Sequence, residues 1–313
     1  IRVNTSTNSN QIGPDAAVLA DGSVILVWTS FGDGSTRKDV KAQAFSATGQ
    51  RLGSEFRVNS YEPPYPYPPL NQRSPRVAAL ANGNFAVTWV TENVVNFSGE
   101  FNSTNAATSS AIVHFRLFNS AGVPLMDDFR ASPRDNPFCS NPAVAGLPGG
   151  GFVVVWNQRD ILAAENSWDI YQRLMNADGT TNGPPVRLNT FTRGDQYAPR
   201  VATLGADQLV VWTSLGQDGS YEGVYGRFVS GGVPNPNEFL VNVDQVVSKQ
   251  MHPTVAGDGA DRFLVAWTSF VGGPSSFDLF AQRYAGTRVF TNATPAPYVY
   301  ALSPSQLGVS WPE

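Results

Sequence analysis

The chain has 313 residues, with 21 Lys and Arg against 25 Asp and Glu, a net charge of −4. That balance argues against the basic surface through which proteins displace counterions from nucleic acid, and no run of ~20 apolar residues offers a helix that could insert in a membrane. Hydrophobic residues at 42% and aromatics at 12% exceed what a disordered chain carries, so the sequence can bury a large core despite 29 Gly and 23 Pro.

Taken in chain order, the first element is Ile1-Arg2-Val3-Asn4, a short strand pattern with no hairpin partner before it. A unit then repeats five times: a proline, an apolar run broken by a turn, and a tryptophan. It reads Pro14…Trp28, Pro75…Trp89, Pro142…Trp156, Pro199…Trp212 and Pro253…Trp267. In the first unit Ala16–Leu19 and Val24–Trp28 flank Ala20-Asp21-Gly22-Ser23. Asn82-Gly83 and Gly149-Gly150-Gly151 serve as the turn in the next two. Such residues take the positive φ of tight hairpins at little cost. A third strand follows each tryptophan: Asp39–Phe45, Ile112–Leu117, Asp169–Leu174, Gly223–Phe228 and Asp278–Tyr284. A fourth is read at Phe56–Asn59, Phe129–Ser132, Val186–Asn189 and Phe239–Asn242.

Four short strands per unit, with no helical period, predict an all-β, five-bladed β-propeller of four-stranded antiparallel blades. The fifth unit lacks room for a fourth strand before Pro297, so Ile1–Asn4 is expected to complete it and close the ring. The propeller is assigned to residues 1–290. Residues 291–313, with strand patterns at Tyr298–Leu302 and Gln306–Trp311, are expected to begin a following β module or a truncated extra blade. The chain starts without Met and is expected to be a piece of a longer protein.

Repetition assigns most prominent residues to structure. The five tryptophans fill the wedge between neighbouring blades, while Asn4, Asn59, Asn189 and Asn242 close fourth strands by satisfying turn backbone. Asp39, Asp169 and Asp278 cap the start of third strands. Cys139, the single cysteine, is read as a buried thiol, and His114 as a satisfied histidine within a strand; His252 has no metal-ligand spacing. The loops Gly32-Asp33-Gly34-Ser35 and Gln217-Asp218-Gly219-Ser220 each offer one carboxylate, too few for a calcium site of the usual kind. No metal or cofactor is expected, with calcium as the one cation considered. Asp127, Asp128 and Asp169 can be nominated as glycosidase carboxylates, but nothing in the sequence makes them converge.

Three features break the repeat. Tyr61, Tyr65 and Tyr67 lie among five prolines in a segment suited to polyproline II docking. The polar insertion Thr91–Ser110 holds the glycosylation sequons of Asn96 and Asn102; Asn292 and Asn4 head two more. Trp168 stands outside the repeat and, with Tyr221 beside the second Asp-Gly-Ser loop, is a candidate for partner or sugar contact.

The Pro-x-Val…Trp unit, the Asp-Gly-Ser loop, the Gln282-Arg283-Tyr284 type of third strand and the Arg-Val-Asn fourth strand resemble the propeller repeats of large secreted, adhesin-like proteins. Pro295–Leu302 and Gln306–Trp311 resemble the start of a fibronectin type III module. The resemblance implies a noncatalytic extracellular or cell-surface module of a larger glycoprotein. Its partners would be other extracellular domains, copies of itself, or glycans. A carbohydrate-binding propeller lectin is the alternative, and a glycan-cleaving enzyme the third reading.

Overall fold

The computed structural model describes residues 1–32, 38–60, 70–93, 110–136, 138–159, 167–244, 247–272, 276–285, 298–303 and 306–310. Asn96, Asn102, Asn292, Tyr61, Tyr65, Tyr67 and the Asp33 loop lie outside these residues. The chain divides into two compact units, Ile1–Arg159 with Tyr171–Val186, and Asp160–Ile170 with Arg187–Glu313.

In the first unit β1 (Gln11–Val18), β2 (Val24–Phe31), β3 (Lys38–Phe45) and β4 (Arg51–Arg57) form one sheet in chain order. A second sheet holds β5 (Asn71–Ala79), β6 (Phe85–Asn93), β7 (Ser110–Phe118) and β8 (Phe129–Arg130). A third holds β9 (Cys139–Gly146), β10 (Phe152–Arg159), β11 (Trp168–Met175) and β12 (Thr181–Arg187). The second unit contains β13 (Gln196–Leu204), β14 (Asp207–Leu215) and β15 (Glu222–Ser230), whose far edge pairs with two short pieces, β16 (Val233–Pro234) and β17 (Phe239–Leu240). Next come β18 (Gln250–Gly257), β19 (Arg262–Phe270) and β20 (Phe277–Ala285), then a separate hairpin of β21 (Tyr298–Ser303) and β22 (Gln306–Ser310). The fold is all-β, and its five repeated antiparallel sheets are the blades of a β-propeller.

Two fourth strands, β4 and β12, begin five residues earlier than the sequence suggested, while β8 and β17 begin at the expected Phe129 and Phe239; all four end two residues short, before the recurring asparagine or Ser132. The asparagine works as a side chain instead. Asn59, Asn189 and Asn242 accept the third-strand backbone N–H of Val40, Ile170 and Val224 at 2.8, 2.7 and 2.7 Å. Asn59 and Asn189 also donate to Asp39 and Asp169 at 2.9 and 2.6 Å. Each of the three thus continues the sheet where the backbone ladder has stopped, and Asn189 also satisfies the turn, donating to the Phe191 carbonyl at 2.9 Å as Asn4 does to that of Ser6 at 2.6 Å.

Ile1–Asn4, expected as the closing strand, is not a strand here. Its neighbourhood nevertheless repeats a fourth-strand pattern. Glu55 accepts the Thr5 N–H at 2.8 Å, as Asp128 accepts that of Ser60 and Glu238 that of Thr190, both at 2.8 Å. In all three cases a carboxylate one residue ahead of a fourth-strand Phe holds the residue that follows an Asn.

Every inner strand carries the same defect. The residue before proline has positive φ at Gly13 (60°), Ser74 (55°), Asn141 (47°), Ala198 (52°) and His252 (55°), and the register with the second strand slips there in every sheet. Proline removes one N–H from the ladder, and the left-handed residue before it absorbs the extra length as a bulge. Only Gly13 adopts that conformation without steric penalty.

The core lies between neighbouring sheets. One cluster joins Ile25, Val27 and Val40 of the first sheet to Phe85, Val87 and Trp89 of the second. Another joins Phe115 and Leu117 to Phe152, Val154 and Trp156. In the second unit Val211, Val224 and Phe228 pack with Phe263, Val265 and Trp267. Approach is so close that a Cβ on Gly146 would lie 2.4 Å from the Ala79 carbonyl oxygen.

The indole N–H groups need partners in this apolar setting. Trp28, Trp89 and Trp212 donate to Gln11, Gln72 and Gln196 at 2.8, 2.8 and 3.0 Å. Each glutamine stands three residues before the unit's proline. In the third unit that position is Cys139, and Trp156 donates instead to Gln158 at 3.2 Å. In the fifth, Gln250 accepts from Asn242 and the Trp267 indole N–H has no partner.

Third-strand arginines tie sheets together. Arg116, Arg173 and Arg227 donate from Nη1 to the carbonyls of Val58, Ala131 and Leu188 at 2.9, 3.2 and 2.5 Å. Each also donates from Nε to a carbonyl of its own fourth-strand region, Met126, Gly183 or Asn235.

Candidate functional site

The repeat supplies a frame in which non-repeated residues stand out. Two residues before the proline the five units carry Ile12, Arg73, Ser140, Tyr197 and Met251; one residue before it, Gly13, Ser74, Asn141, Ala198 and His252. These are the entry ends of the inner strands. In the second unit they meet the hairpin end between β14 and β15, which carries Tyr221 and Glu222.

Asp195 and Tyr197 enter on β13. The Asp195 carbonyl receives the Leu215 N–H at 2.9 Å, closing the hairpin, and its carboxylate receives the Trp168 N–H at 3.2 Å. Burial, and then the charges of Glu222 and Asp195, push the half-buried Tyr197 phenol up to about 12, so it stays protonated as a donor. Glu222 opens β15 beside Leu215. Its Oε2 lies 3.9 Å from the Lys249 ammonium and makes no hydrogen bond although that atom is buried. The same ammonium sits 5.7 Å from the centre of the Tyr221 ring, a side chain 62% exposed. The Tyr221 carbonyl accepts the Gly216 N–H at 2.6 Å, and Ser220 exchanges two hydrogen bonds with the backbone of Ser248, which fixes the loop against the approach to β18.

His252 belongs to the same end. It is exposed, and its N–H donates to Oγ1 of Thr213 at 3.1 Å; Thr213 is the register partner of Tyr197. This end therefore carries the Tyr197 phenol under the charges of Asp195 and Glu222, the Lys249 ammonium against Glu222 and the Tyr221 ring, and the backbone attachments of Trp168 and His252.

Two residues singled out from the sequence, Trp168 and Tyr221, border this cluster. The others do not join it. Asp127 is exposed, while Asp128 is engaged by Ser60 at 2.8 and 3.0 Å. Asp169 is buried against Asn189, with Arg187 at 3.6 Å. Asn4 donates its amide to the Ser6 carbonyl at 2.6 Å. His114 is not satisfied: its Nδ1 is buried without a hydrogen bond, and desolvation lowers its pKa to about 4. Cys139 is buried, and burial raises its thiol to about 12. In the Gln217–Ser220 loop Asp218 Oδ1 accepts the Ser220 N–H at 2.9 Å. Among the described residues no group of three or more His, Cys, Asp or Glu is arranged to hold a metal, and no helix is long and apolar enough to cross a membrane.

The sequence matches no family model and no curated protein. Solved structures share the fold. An ulvan lyase, from a new family of polysaccharide lyase, aligns with a TM-score of 0.57 at 11% identity over 88% of this chain and 64% of its own. The α-L-arabinanase of Penicillium chrysogenum, solved with arabinobiose, aligns at 0.53 and 13% identity, over 87% of this chain and 77% of its own. An N-acetylgalactosamine deacetylase from F. plautii aligns at 0.50 and 12% identity, over 91% and 93%.

These neighbours correct the expectation of a noncatalytic adhesive module: the propellers that this chain resembles in structure are glycan-acting enzymes. That expectation rested on repeated residues being structural and on carboxylates that did not converge. Asp195 and Glu222, absent from that expectation, meet at Leu215, whose N–H the Asp195 carbonyl accepts and which pairs with Glu222.

Proposed function

We propose that the chain is a glycan-cleaving enzyme whose site is the strand-entry end of the second unit. The observation that carries this reading is the meeting of Asp195 and Glu222 at Leu215, whose N–H the Asp195 carbonyl accepts and which pairs with Glu222, beside Lys249 and the exposed Tyr221 ring, on a fold shared with enzymes that act on polysaccharides. Cleaving a glycosidic bond by hydrolysis needs one group to protonate the leaving oxygen and a carboxylate to activate water or stabilise positive charge at the anomeric carbon. Asp195 and Glu222 supply the carboxylates, Tyr197 donates a hydrogen bond to a sugar oxygen, and Trp168 and Tyr221 offer faces for ring stacking. An extracellular setting fits a polymeric substrate, and the β21–β22 hairpin is read as the start of a following module.

The test is product release from a panel of neutral and acidic polysaccharides, followed both as new reducing ends and as unsaturated ends by ultraviolet absorbance. Wild-type protein should release one class of product, and Glu222→Gln and Tyr197→Phe should each lower the rate about 100-fold or more. A wild type inert on every glycan, or variants that match it, would sink the reading.

A further inference from the structure

We infer that His252 is the acid–base residue of this site and that Thr213 is the residue that positions it; the inference rests on the glycan-cleaving reading. Four of the five inner strands place a non-glycine residue in the left-handed conformation before proline, and only one of those residues can carry a proton near neutrality. A bulky residue there is strained, and such strain persists where surrounding structure holds it. The holding group is visible. Thr213 Oγ1, fully buried one residue after Trp212, accepts the His252 N–H at 3.1 Å. The first unit repeats the device: Thr29, one residue after Trp28, accepts the N–H of Ser74 at 3.2 Å. The same clasp thus holds the backbone of a serine in one unit and that of an exposed histidine in the other.

Thr213 also stands opposite Tyr197 in the β13–β14 pairing, and β18 packs beside β13. One threonine therefore fixes the imidazole-bearing residue relative to the phenol. The charged and titratable groups at this end include Asp195, Tyr197 and Arg200 from β13 and its approach, Asp218 and Tyr221 of the hairpin loop, Glu222 of β15, and Lys249 just before β18.

In the hydrolytic step the anomeric C–O bond breaks as water adds to the anomeric carbon. The leaving oxygen takes its proton from the His252 imidazolium. Glu222 or Asp195 takes the proton that water gives up, and solvent returns that proton to the imidazole. Atoms and charge balance without a further reactant.

The full chain is assayed on the glycan that the wild type cleaves. His252→Asn keeps a residue tolerant of positive φ; it should lower kcat/KM about 100-fold and abolish the alkaline limb of the pH profile. Added imidazole should restore about a tenth or more of the lost rate. Thr213→Val should lower kcat about tenfold with little change in KM, and the conservative Thr213→Ser should recover most of it. A His252→Asn enzyme within about twofold of wild type, an unchanged alkaline limb, or no response to imidazole would overturn the assignment while leaving the glycan-cleaving reading intact. A wild type that cleaves no glycan would remove both.

Discussion

His114 shows what one residue does when it takes a place built for another. Opposite the recurring tryptophan on the third strand stand Tyr225 and Phe280, and Tyr171 stacks on Trp156 at 6.4 Å. In the second sheet that partner is His114, stacked on Trp89 at 6.2 Å. The ring fills the space, but its nitrogen has lost water without gaining a bond. Its pKa falls from 6.5 to about 4, desolvation being the main cause, with Asp128 opposing and Arg130 adding to the fall. Between those values the unfolded chain binds the proton and the folded chain does not, so stability drops as pH falls from 6.5 towards 4 and this contribution levels off below. The full loss is roughly 3 kcal/mol. His114→Phe should remove it: urea unfolding at pH 7 and pH 4.5 should show a smaller acid loss in the variant than in wild type. Equal losses would contradict the assignment.

At the scale of the strand and sheet, the arginine ties make a sharper prediction than the apolar contacts. Arg173 reaches Ala131 with one nitrogen and Gly183 with another. Arg173→Met keeps the stem but removes both bonds; the exposed Gly183 carbonyl turns to water while that of Ala131 loses its partner, at a cost of about 1 kcal/mol. Arg173→Lys should recover less than half, because an ammonium lacks the planar fork. Urea midpoints of the three proteins decide it, and a Lys variant equal to wild type would show that charge alone suffices.

Much of this scale was legible in the sequence. The proline-to-tryptophan spans placed the hairpins, and the third strands agree within two residues at every end. The glutamine three residues before four of the prolines was equally visible, yet its indole partner lies in the next strand and only packing joins them. The fourth strands lie where expected but stop two residues short, because in three of them an asparagine side chain continues the ladder, which a backbone pattern cannot reveal. The candidate site was the least legible part. Tyr197, Glu222 and His252 are 25 to 30 residues apart along the chain and share no motif; only sheet packing brings them to one end. Trp168 and Tyr221 were noticed because each departs from its repeat, and Tyr197 departs in the same way.

For the molecule as a whole, the recurring bonds are neutral or single-charge: indole to amide, asparagine to backbone, guanidinium to carbonyl. The ion pairs among the described residues are few and mostly partly exposed, such as Lys41–Glu55 at 3.1 Å and Arg73–Glu92 at 2.5 Å. Screening weakens exposed pairs and leaves buried dipolar contacts nearly untouched. Stability should therefore change by less than about 1 kcal/mol between 0.05 and 1 M sodium chloride. Thermal unfolding across that range checks it, and a steep salt dependence would mean that ion pairs dominate.

The Cys139–Gln158 exchange carries a historical consequence. The other four units keep glutamine on the inner strand and a serine or threonine two residues after tryptophan; the third has cysteine and glutamine at those places. Losing the first glutamine alone strands a buried indole N–H, whereas gaining the second beforehand leaves it an heir. Descent from a common unit thus had a passable order: Gln158 arrived first, and cysteine followed under its cover. That order can be replayed in the fourth unit. Gln196→Cys alone should destabilise by about 1–3 kcal/mol, and Gln196→Cys placed on Ser214→Gln should cost markedly less. A double variant no better than the single would refute this ancestry of the third repeat.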